Sequence, residues 1–342
     1  MSVSIKDIAK RVNRSITTVS RALNDYDDVS PETKQLILKT AKEMGYSPNT
    51  FAQRLQKQQS DTIGLILPTF SPRFSDPYFS ELLAGIGNKA ADLGFDLLVS
   101  TRSPGLEENK AYEKMVEGGR VDGFIVVRTR NQDTRIEYLL SKNFPFVAFG
   151  RTDDCNRFSY VDEDGYYGMQ LVAEHLVELK HDVIGCITPK PDLAFTEKRI
   201  AGLRDCLEKY NIKLDPTYIK AGDLTQRSGY ELGAELLDLS ETPTAIVACN
   251  DLMAFGVMSA VQERGLVVGK DVSVTGFDDI PMSEYSHPPL TTVHQPVYQI
   301  GSMVCEMLVK IIRDELSEHQ QILLKPSLIE RQSTGIYDKR AI

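Results

Sequence analysis

The sequence predicts an α/β protein with a small all-helical head and a larger two-lobed body of doubly wound parallel sheets. Two observations carry this prediction. Residues 62–277 alternate continuous apolar runs with amphipathic stretches, which is typical of buried parallel strands joined by helices. Residues 4–45 instead show three short helical patterns. With 342 residues, the chain is long enough for two or three separate hydrophobic cores.

Each helical pattern in the head begins with a capping signal. Ser4 opens a capping box, Ser15 precedes the second pattern, and Ser30 precedes the third, which has Pro31 at its first helical position. Gly45 is expected to end the third helix. The apolar positions at helical spacing, expected to face inward, are Ile5, Ile8, Ala9, Val12, Val19, Ala22, Leu23, Leu36, Ile37 and Ala41. These features predict a three-helix unit of the helix-turn-helix type.

The second helical pattern, ITTVSRALN, is expected to enter the major groove of DNA with its N-terminus first. Ile16, Thr17 and Arg21 would then face base edges, and Arg21 is suited to a bidentate contact with guanine. Ser20 and Asn24 are short donors suited to phosphate oxygens. Spacing alone leaves open a generic three-helix packing unit with solvated polar faces.

Seven apolar runs in the body have the length of buried strands, and amphipathic helical stretches separate them. The earlier and the later runs each suffice for one doubly wound lobe, so a ligand cleft is expected between two lobes. The runs are TIGLIL (62–67), FDLLVS (95–100), GFIVV (123–127), FPFVAF (144–149), DVIGCI (182–187), TAIVAC (244–249) and DVSVTGF (271–277).

Charge is distributed unevenly along the chain. The net charge is −9, yet residues 1–60 carry ten Lys or Arg against six Asp or Glu. A basic head on an acidic body indicates that only the head meets a polyanion. No apolar run reaches the roughly 18 residues that cross a bilayer, and the N-terminus lacks the apolar core of a signal peptide. The five cysteines are scattered without CxxC spacing, so we expect a cytoplasmic protein with buried thiols.

The head resembles the DNA-binding domain of the LacI/GalR family of bacterial transcriptional regulators. The stretches IKDIAKRVNRSITTVSRALN and VSPETKQLILKTAKEMGYSPN follow the pattern of that family without a gap. One departure lies in the turn, where Asn13-Arg14-Ser15 stands in place of the usual Gly-Val-Ser. The resemblance implies a DNA-binding domain over residues 1–47, with Ser4 among its DNA contacts.

Residues 48–61 form a polar, glutamine-rich connection, which on composition alone would be a flexible linker. The resemblance implies a hinge helix from Asn49 to about Lys57 that is ordered only on operator DNA. Leu55 matches the minor-groove wedge of the family, and Ala52 is small enough for close pairing of two hinge helices. Asn49, Ala52 and Leu55 are therefore expected DNA contacts, and the paired hinges imply a homodimer.

The resemblance continues through the body, residues 62–342, which is similar to the periplasmic sugar-binding proteins. The stretches that carry it are Asp76-Pro-Tyr78-Phe79, VDGFIVV, Arg199-Ile-Ala-Gly202, Asn250-Asp251-Leu-Met-Ala, Gly276-Phe-Asp278-Asp279 and Pro289-Leu-Thr-Thr-Val. Effector contacts are implied at Tyr78, Phe79, Arg199, Asn250 and Asp278, and Arg151 and Phe195 flank the same junctions. Carboxylate, amide and guanidinium groups can fork hydrogen bonds to vicinal hydroxyls, and aromatic rings stack on a pyranose face.

Structural roles compete with ligand contact at several of these positions. Asn250 could merely cap the next helix, and Arg199 could be a solvated arginine on a polar helix face. Tyr78 and Phe79 could belong to the core. Asp278 lies in an apolar strand before a turn, where it has little structural reason to be.

The expected function is a repressor whose affinity for a pseudo-palindromic operator in double-stranded DNA is controlled by a small effector, a sugar. The stretch SRALNDYDDVS resembles members that regulate α-glucoside or α-galactoside use. A sugar transport receptor is an alternative, but the head and the missing signal peptide oppose it. A sugar-active enzyme is another, but the sequence lacks GxSxG and HExxH motifs, and its five histidines show no metal-ligand spacing. We expect no enzyme activity, no metal and no cofactor.

Overall fold

The structure is a computed structural model that describes residues 3–46, 59–69 and 76–338. The chain divides into two compact units, with the boundary between Ser60 and Asp61. No helix within the described residues is long and apolar enough to cross a membrane. Three of the predicted DNA contacts lie outside the described residues: Asn49, Ala52 and Leu55.

Over residues 3–46, the first unit contains three helices, α1 (Ile5–Val12), α2 (Ile16–Leu23) and α3 (Pro31–Glu43). Each helix begins where its capping residue predicts. The hydroxyl oxygen of Ser15 accepts the backbone N–H of Thr18 at 3.0 Å, which satisfies one of the free amides at the start of α2. The three-helix unit expected from the sequence is therefore confirmed.

Ile8, Val19 and Ile37, one from each helix, are fully buried and form the centre of the small core of this unit. One inward assignment is wrong, because the side chain of Leu36 is 49% exposed. Ile37 and Ala41, one turn apart, face the core, and Leu36 lies about 100° away from Ile37 around the helix axis.

The second unit has two lobes, each a parallel sheet covered by helices. In the first lobe, six parallel strands are hydrogen-bonded in the order β11-β5-β4-β3-β1-β2. These strands are β1 (Thr62–Pro68), β2 (Asp96–Arg102), β3 (Gly123–Val126), β4 (Phe146–Phe149), β5 (Tyr160–Glu163) and β11 (Gln321–Leu324). Its helices are α4 (Pro77–Asp92), α5 (Leu106–Glu117), α6 (Thr134–Ser141) and α12 (Val297–Ile312).

The second lobe contains a four-stranded parallel sheet in the order β7-β6-β8-β9. Its strands are β6 (Ile184–Thr188), β7 (Ile219–Ala221), β8 (Ala245–Ala248) and β9 (Ser273–Thr275). Its helices are α7 (Gly165–Glu178), α8 (Ala194–Lys209), α9 (Gln226–Leu237), α10 (Asp251–Glu263) and α11 (Met282–Tyr285). A two-stranded antiparallel ribbon joins β10 (Thr292–His294) to β12 (Ser327–Ile329).

Successive residues of β1 show why helices cover both faces of the first sheet. Ile63 and Leu65 belong to one hydrophobic cluster and Ile66 to another, because alternate side chains of a strand point to opposite faces. All three side chains are fully buried. This is the doubly wound arrangement that the continuous apolar runs predict.

The seven predicted apolar runs all contain strands of the structure, but five further strands were missed: β5, β7, β10, β11 and β12. Of these, β5 lies in the middle of a sheet and bears on the site. Its sequence, Tyr-Val-Asp-Glu, ends in Asp162 and Glu163, and these two acids interrupt the apolar run. All four residues of β5 are nonetheless buried. The chain passes to the second lobe directly after this strand, so the missed strand lies where the two lobes meet.

Candidate functional site

The carboxyl ends of strands from both lobes face each other across a cleft. Residues that follow β3, β4, β8 and β9 contribute to its walls, together with the end of β5 and the starts of α4 and α8. The cleft is narrow, with a cavity volume of about 60 Å³. All the effector residues expected from the sequence line it: Tyr78, Phe79, Arg151, Phe195, Arg199, Asn250 and Asp278.

Arg199 is held in the cleft by contacts on several sides. Its Nη2 donates to Glu163 Oε1 at 2.7 Å and its Nη1 donates to the carbonyl oxygen of Cys249 at 2.6 Å. The guanidinium carbon lies 3.6 Å from the ring centroid of Phe277 and 4.6 Å from that of Phe195. Burial by itself lowers the pKa of Arg199, but the nearby acidic groups, Glu163 first and then Asp278, together outweigh it and raise the pKa. The alternative of a solvated arginine is therefore wrong.

Close packing of α8 against α7 explains how Arg199 reaches this position. A Cβ atom on Gly202 of α8 would overlap the carbonyl oxygen of Tyr166 in α7, so the two helices can approach this closely only at a glycine. The first turn of α8 is anchored to the other lobe, because the N–H of Ala194 donates to the carbonyl oxygen of Thr129 at 2.9 Å. Arg199 therefore stands on a rigid helix at the contact between the lobes.

Two further arginine–carboxylate pairs lie in the cleft. Arg128 Nη2 is 2.9 Å from Asp76 Oδ2, and its guanidinium carbon lies 4.7 Å from the ring centroid of Phe79. Arg151 Nε is 2.9 Å from Asp162 Oδ2. Burial lowers the pKa of Arg128 and raises the pKa of Asp162. The sequence prediction missed every partner in these pairs except Arg151, and the acids at the end of β5 were the signal available.

Asp278 forms no ion pair within the described part of the body. Its Oδ1 accepts a hydrogen bond from Gln295 Nε2 at 2.7 Å. Burial, reinforced by the charge of nearby Asp251, raises the pKa of Asp278 well above its usual range. Its φ of 127° lies in a region that non-glycine residues rarely adopt, a strain that tends to occur at functional sites. Asp278 is thus a strained acceptor without a cationic partner.

Asn250 has the structural role that the sequence left open and also lines the cleft. Its Oδ1 accepts the N–H of Met253 at 3.0 Å and caps α10, while its Nδ2 donates to the carbonyl oxygen of Leu224 at 3.0 Å. Both groups of the amide therefore have protein partners. Asn250 fixes the loop that carries Leu224, which is itself part of the cleft wall.

Tyr78 and Phe79 likewise belong to both the core and the cleft. Phe79 is almost fully buried, and Tyr78 packs against the clusters of both lobes. The ring of Tyr78 stacks on Phe149 with 6.1 Å between centroids and meets Phe79 edge to face at 5.6 Å. The aromatic part of the cleft is therefore packed against itself.

In the first unit, α2 carries four of the six predicted DNA contacts that lie within the described residues. Ile16, Thr17 and Arg21 are exposed. Exposure is unusual for an isoleucine, since this residue type is most often buried. Ser20 is half-buried, and its carbonyl oxygen accepts a hydrogen bond from Asn24 Nδ2 at 2.9 Å. The side-chain amide of Asn24 therefore already makes a hydrogen bond within the protein. Ile16, Thr17 and Arg21 are the positions that face solvent.

Two other residues of this unit lie at helix ends. The hydroxyl of Ser4 donates to Asp7 Oδ2 at 2.7 Å, and its backbone N–H donates to the same oxygen at 2.9 Å. Arg14, in the turn before α2, is exposed. Arg14 stands where the family usually has valine, but its side chain faces solvent and is not part of the core.

Comparisons with known proteins cover both units. Residues 4–49 match the model of the lacI family of bacterial regulatory proteins, and residues 173–334 match the periplasmic binding protein-like domain. The HTH-type transcriptional repressor PurR of Aliivibrio salmonicida is 30% identical over 331 residues, covering 96% of this chain and 98% of PurR.

Two solved structures are similar over nearly the whole chain. The lac repressor dimer bound to operator and the anti-inducer ONPF has a TM-score of 0.85 and 30% identity, covering 98% of this chain and all of that one. The complex of the transcriptional regulator CelR with cellobiose has a TM-score of 0.76 and 28% identity, covering 97% and 99%.

The helical unit, the two-lobed body and the cleft define a DNA-binding transcriptional regulator with a ligand-binding body. The chain belongs to the LacI family of bacterial regulatory proteins. It is a transcriptional repressor regulated by ligand binding, and not an enzyme.

Proposed function

We propose that this protein represses carbohydrate-utilisation genes in the cytoplasm and that a neutral sugar bound in the cleft controls its affinity for the operator. Residues 1–47 bind DNA, residues 48–61 form the hinge, and residues 62–342 bind the effector and dimerise. Two copies place two α2 helices on one face of a pseudo-palindrome, where Ile16 and Arg21 face base edges.

The pairing of charges in the cleft is the observation that best supports a neutral sugar as the effector. Each arginine of the cleft already forms an ion pair with a carboxylate. Asp278, in contrast, forms no ion pair with an arginine or a lysine among the described residues. A neutral polyol suits this arrangement, because each hydroxyl both donates and accepts. Asp278 can accept sugar hydroxyls, and Arg199 Nε, which is buried without a partner in the described residues, can donate to a sugar oxygen.

An anionic effector such as a sugar phosphate suits the cleft less well. It would have to take an arginine from its carboxylate, which leaves a buried carboxylate unpaired. Leaving one buried charge without its partner costs about 3–5 kcal/mol. The lining also carries four carboxyl groups against three arginines, so no arginine is in excess of its possible partners.

Similarity to a repressor named PurR raises a purine base as the alternative effector. A planar base needs an open slot between aromatic faces or comparable flat walls. Here Tyr78 stacks on Phe149 and meets Phe79, and Arg199 covers Phe195. The packed rings and the abundance of charged groups favour a hydroxyl-rich ligand. The likeness to the CelR–cellobiose complex supports the same choice.

A thermal-shift panel tests the effector class, because a ligand that binds only the native state raises the unfolding temperature by mass action. The panel contains neutral mono- and disaccharides, with α-glucosides and α-galactosides first, together with sugar phosphates and purine bases. We expect stabilisation by a neutral carbohydrate. Stabilisation by a purine base or a sugar phosphate alone would overturn the sugar assignment.

Selection from a random duplex library tests the DNA half of the proposal. The full-length protein should enrich a pseudo-palindrome with half-sites about one helical turn apart or a multiple of it. Failure to enrich any sequence, at low or moderate salt, would contradict sequence-specific binding.

A further inference from the structure

The guanidinium of Arg21 is bound along one edge by a single carboxylate. Its Nε is 3.0 Å from Asp28 Oδ1 and its Nη2 is 2.7 Å from Asp28 Oδ2. A guanidinium offers two edges that can each make a pair of parallel hydrogen bonds, one with Nε and Nη2 and one with Nη1 and Nη2. Asp28 occupies the first edge, so the second is left for the O6 and N7 acceptors of a guanine.

The loop between α2 and α3 fixes Asp28 in this position. The N–H of Tyr26 donates to the carbonyl oxygen of Arg21 at 3.0 Å. Lys34 Nζ donates to Asp25 Oδ1 at 2.7 Å and to the carbonyl oxygen of Asp25 at 3.2 Å. Val29, which directly follows Asp28, is buried in the core. The carboxylate is therefore carried by a loop that is tied down on both sides.

The ring of Tyr26 supports Arg21 from a second direction. The guanidinium carbon lies 5.2 Å from the ring centroid, within the range of a cation–π contact. Together, the ring and the carboxylate restrict both the position and the plane of the guanidinium. Ordering a long side chain at an interface costs conformational entropy, and a guanidinium that is ordered beforehand avoids part of that cost.

We propose that Asp28 is a positioning residue that determines DNA specificity: it presents the free edge of Arg21 to one guanine and opposes binding to DNA that lacks this base. The inference rests on the proposed function, in which α2 reads the major groove. The opposition arises because the carboxylate repels phosphates, and only the contact of Arg21 with guanine offsets that repulsion on the operator.

An ordinary surface ion pair would behave in the opposite way. Both side chains are about half exposed, and such pairs contribute little to stability. If Arg21 had to leave Asp28 in order to contact DNA, removal of the carboxylate would strengthen binding to operator and to random DNA alike. If Asp28 positions Arg21 on the operator, loss of the carboxylate weakens operator binding. If Arg21 leaves Asp28 to contact DNA, the same change strengthens operator binding.

The test compares Asp28→Asn with Asp27→Asn in the full-length protein. Asp27 is an exposed acid next to Asp28 with no side-chain contact in the described residues, so its substitution makes the same change of charge. Fluorescence anisotropy measures affinity for the selected operator and for a random duplex of the same length, at one salt concentration. A thermal melt of each variant checks that the fold is retained.

We expect Asp28→Asn to weaken operator binding roughly three- to tenfold and to strengthen binding to the random duplex. Asp27→Asn should strengthen both by similar factors, because it only removes a negative charge. In an Arg21→Ala background, Asp28→Asn should no longer weaken operator binding, since the side chain that it positions is absent.

Operator affinity that is unchanged or raised by Asp28→Asn would overturn the inference. So would an equal weakening in the Arg21→Ala background, because Asp28 would then act on DNA without Arg21. If the wild-type protein bound selected and random duplexes equally, the proposed function itself would fail, which is a different outcome from either of these.

Discussion

Two arginine–carboxylate pairs, one in the helical unit and one in the cleft, share the same closest N–O distance of 2.7 Å. Their surroundings differ. The side chains of Arg21 and Asp28 are 46% and 50% exposed, whereas those of Arg199 and Glu163 are 6% and 5% exposed. Contacts of the same closest distance therefore lie at the surface in one case and in the interior in the other.

The difference in burial decides what each pair can do. An exposed pair contributes about 0–1 kcal/mol, so the helical unit can use Arg21 and Asp28 for DNA recognition with little effect on its stability. A buried pair holds two charges away from water, and neither partner can be removed without a large penalty. The cleft therefore admits a ligand that hydrogen-bonds to its charges and leaves the pairs intact.

Loss of the buried pair should have the largest effect. Arg199→Met removes the charge but keeps most of the volume, which leaves Glu163 buried and unpaired. We expect the free energy of unfolding of the body to fall by about 3–5 kcal/mol in urea denaturation. Arg204→Met is the control on the same helix, where a partly exposed arginine lies 3.6 Å from Glu197. A loss in Arg199→Met as small as that in the control would remove the distinction between the two classes of pair.

The cleft carboxylate without a cationic partner should dominate effector affinity. Asp278→Asn keeps the size of the side chain and removes its charge. With two hydrogen bonds to sugar hydroxyls, each contributing about 1.5–3 kcal/mol, effector affinity should fall by roughly two orders of magnitude or more. Operator affinity without effector should stay within about twofold of the wild type. Calorimetric titration with the carbohydrate found in the thermal-shift panel measures the loss, and normal binding would mean that Asp278 has only a structural role.

The exposed pair should affect DNA binding and leave the body alone. Arg21→Ala should cost about 1–3 kcal/mol on the operator and relax the preference at one base pair. Effector affinity should not change. Anisotropy on operator variants measures both effects, and an equal loss on operator and random DNA would instead make Arg21 a phosphate contact.

The smallest effect concerns pH. Because burial and then Asp251 raise the pKa of Asp278, its charged form is disfavoured in the folded protein. A raised carboxyl pKa contributes stability that is present below the ordinary value of 3.8 and is lost as the pH rises through the folded pKa. Asp278→Asn should therefore unfold a few degrees above the wild type at pH 8. Scanning calorimetry from pH 8 to 5 should show this gain shrink, and a gain that grows on acidification would reverse the sign.

Sequence patterns were sufficient for the elements that depend on local signals. Ser15 and Pro31 mark helix starts through hydrogen bonds and geometry within one turn, and the apolar runs mark buried strands. The cleft residues could be expected as well, since positions such as Asn250 directly follow strands whose carboxyl ends meet.

Pairings between distant residues could not be predicted in this way. Glu163 and Arg199 are 36 positions apart and lie on different elements, so no periodicity connects them. The strand β5 was also missed, because Asp162 and Glu163 interrupt its apolar pattern. These two acids are buried beside Arg151 and Arg199, which lie outside this strand. The contact of Arg21 with Asp28 depends on the path of a loop, which helical spacing does not specify.

The most direct test of the account is the operator affinity of the full-length protein with and without the carbohydrate that raises its unfolding temperature. Coupling between cleft and operator predicts at least a tenfold change in the apparent Kd of the wild type, about 1.4 kcal/mol. At the same carbohydrate concentration, the operator affinity of Asp278→Asn should not change. A carbohydrate that binds the wild type and leaves operator affinity unaltered would contradict control of DNA binding from the cleft, as would a response of Asp278→Asn equal to that of the wild type.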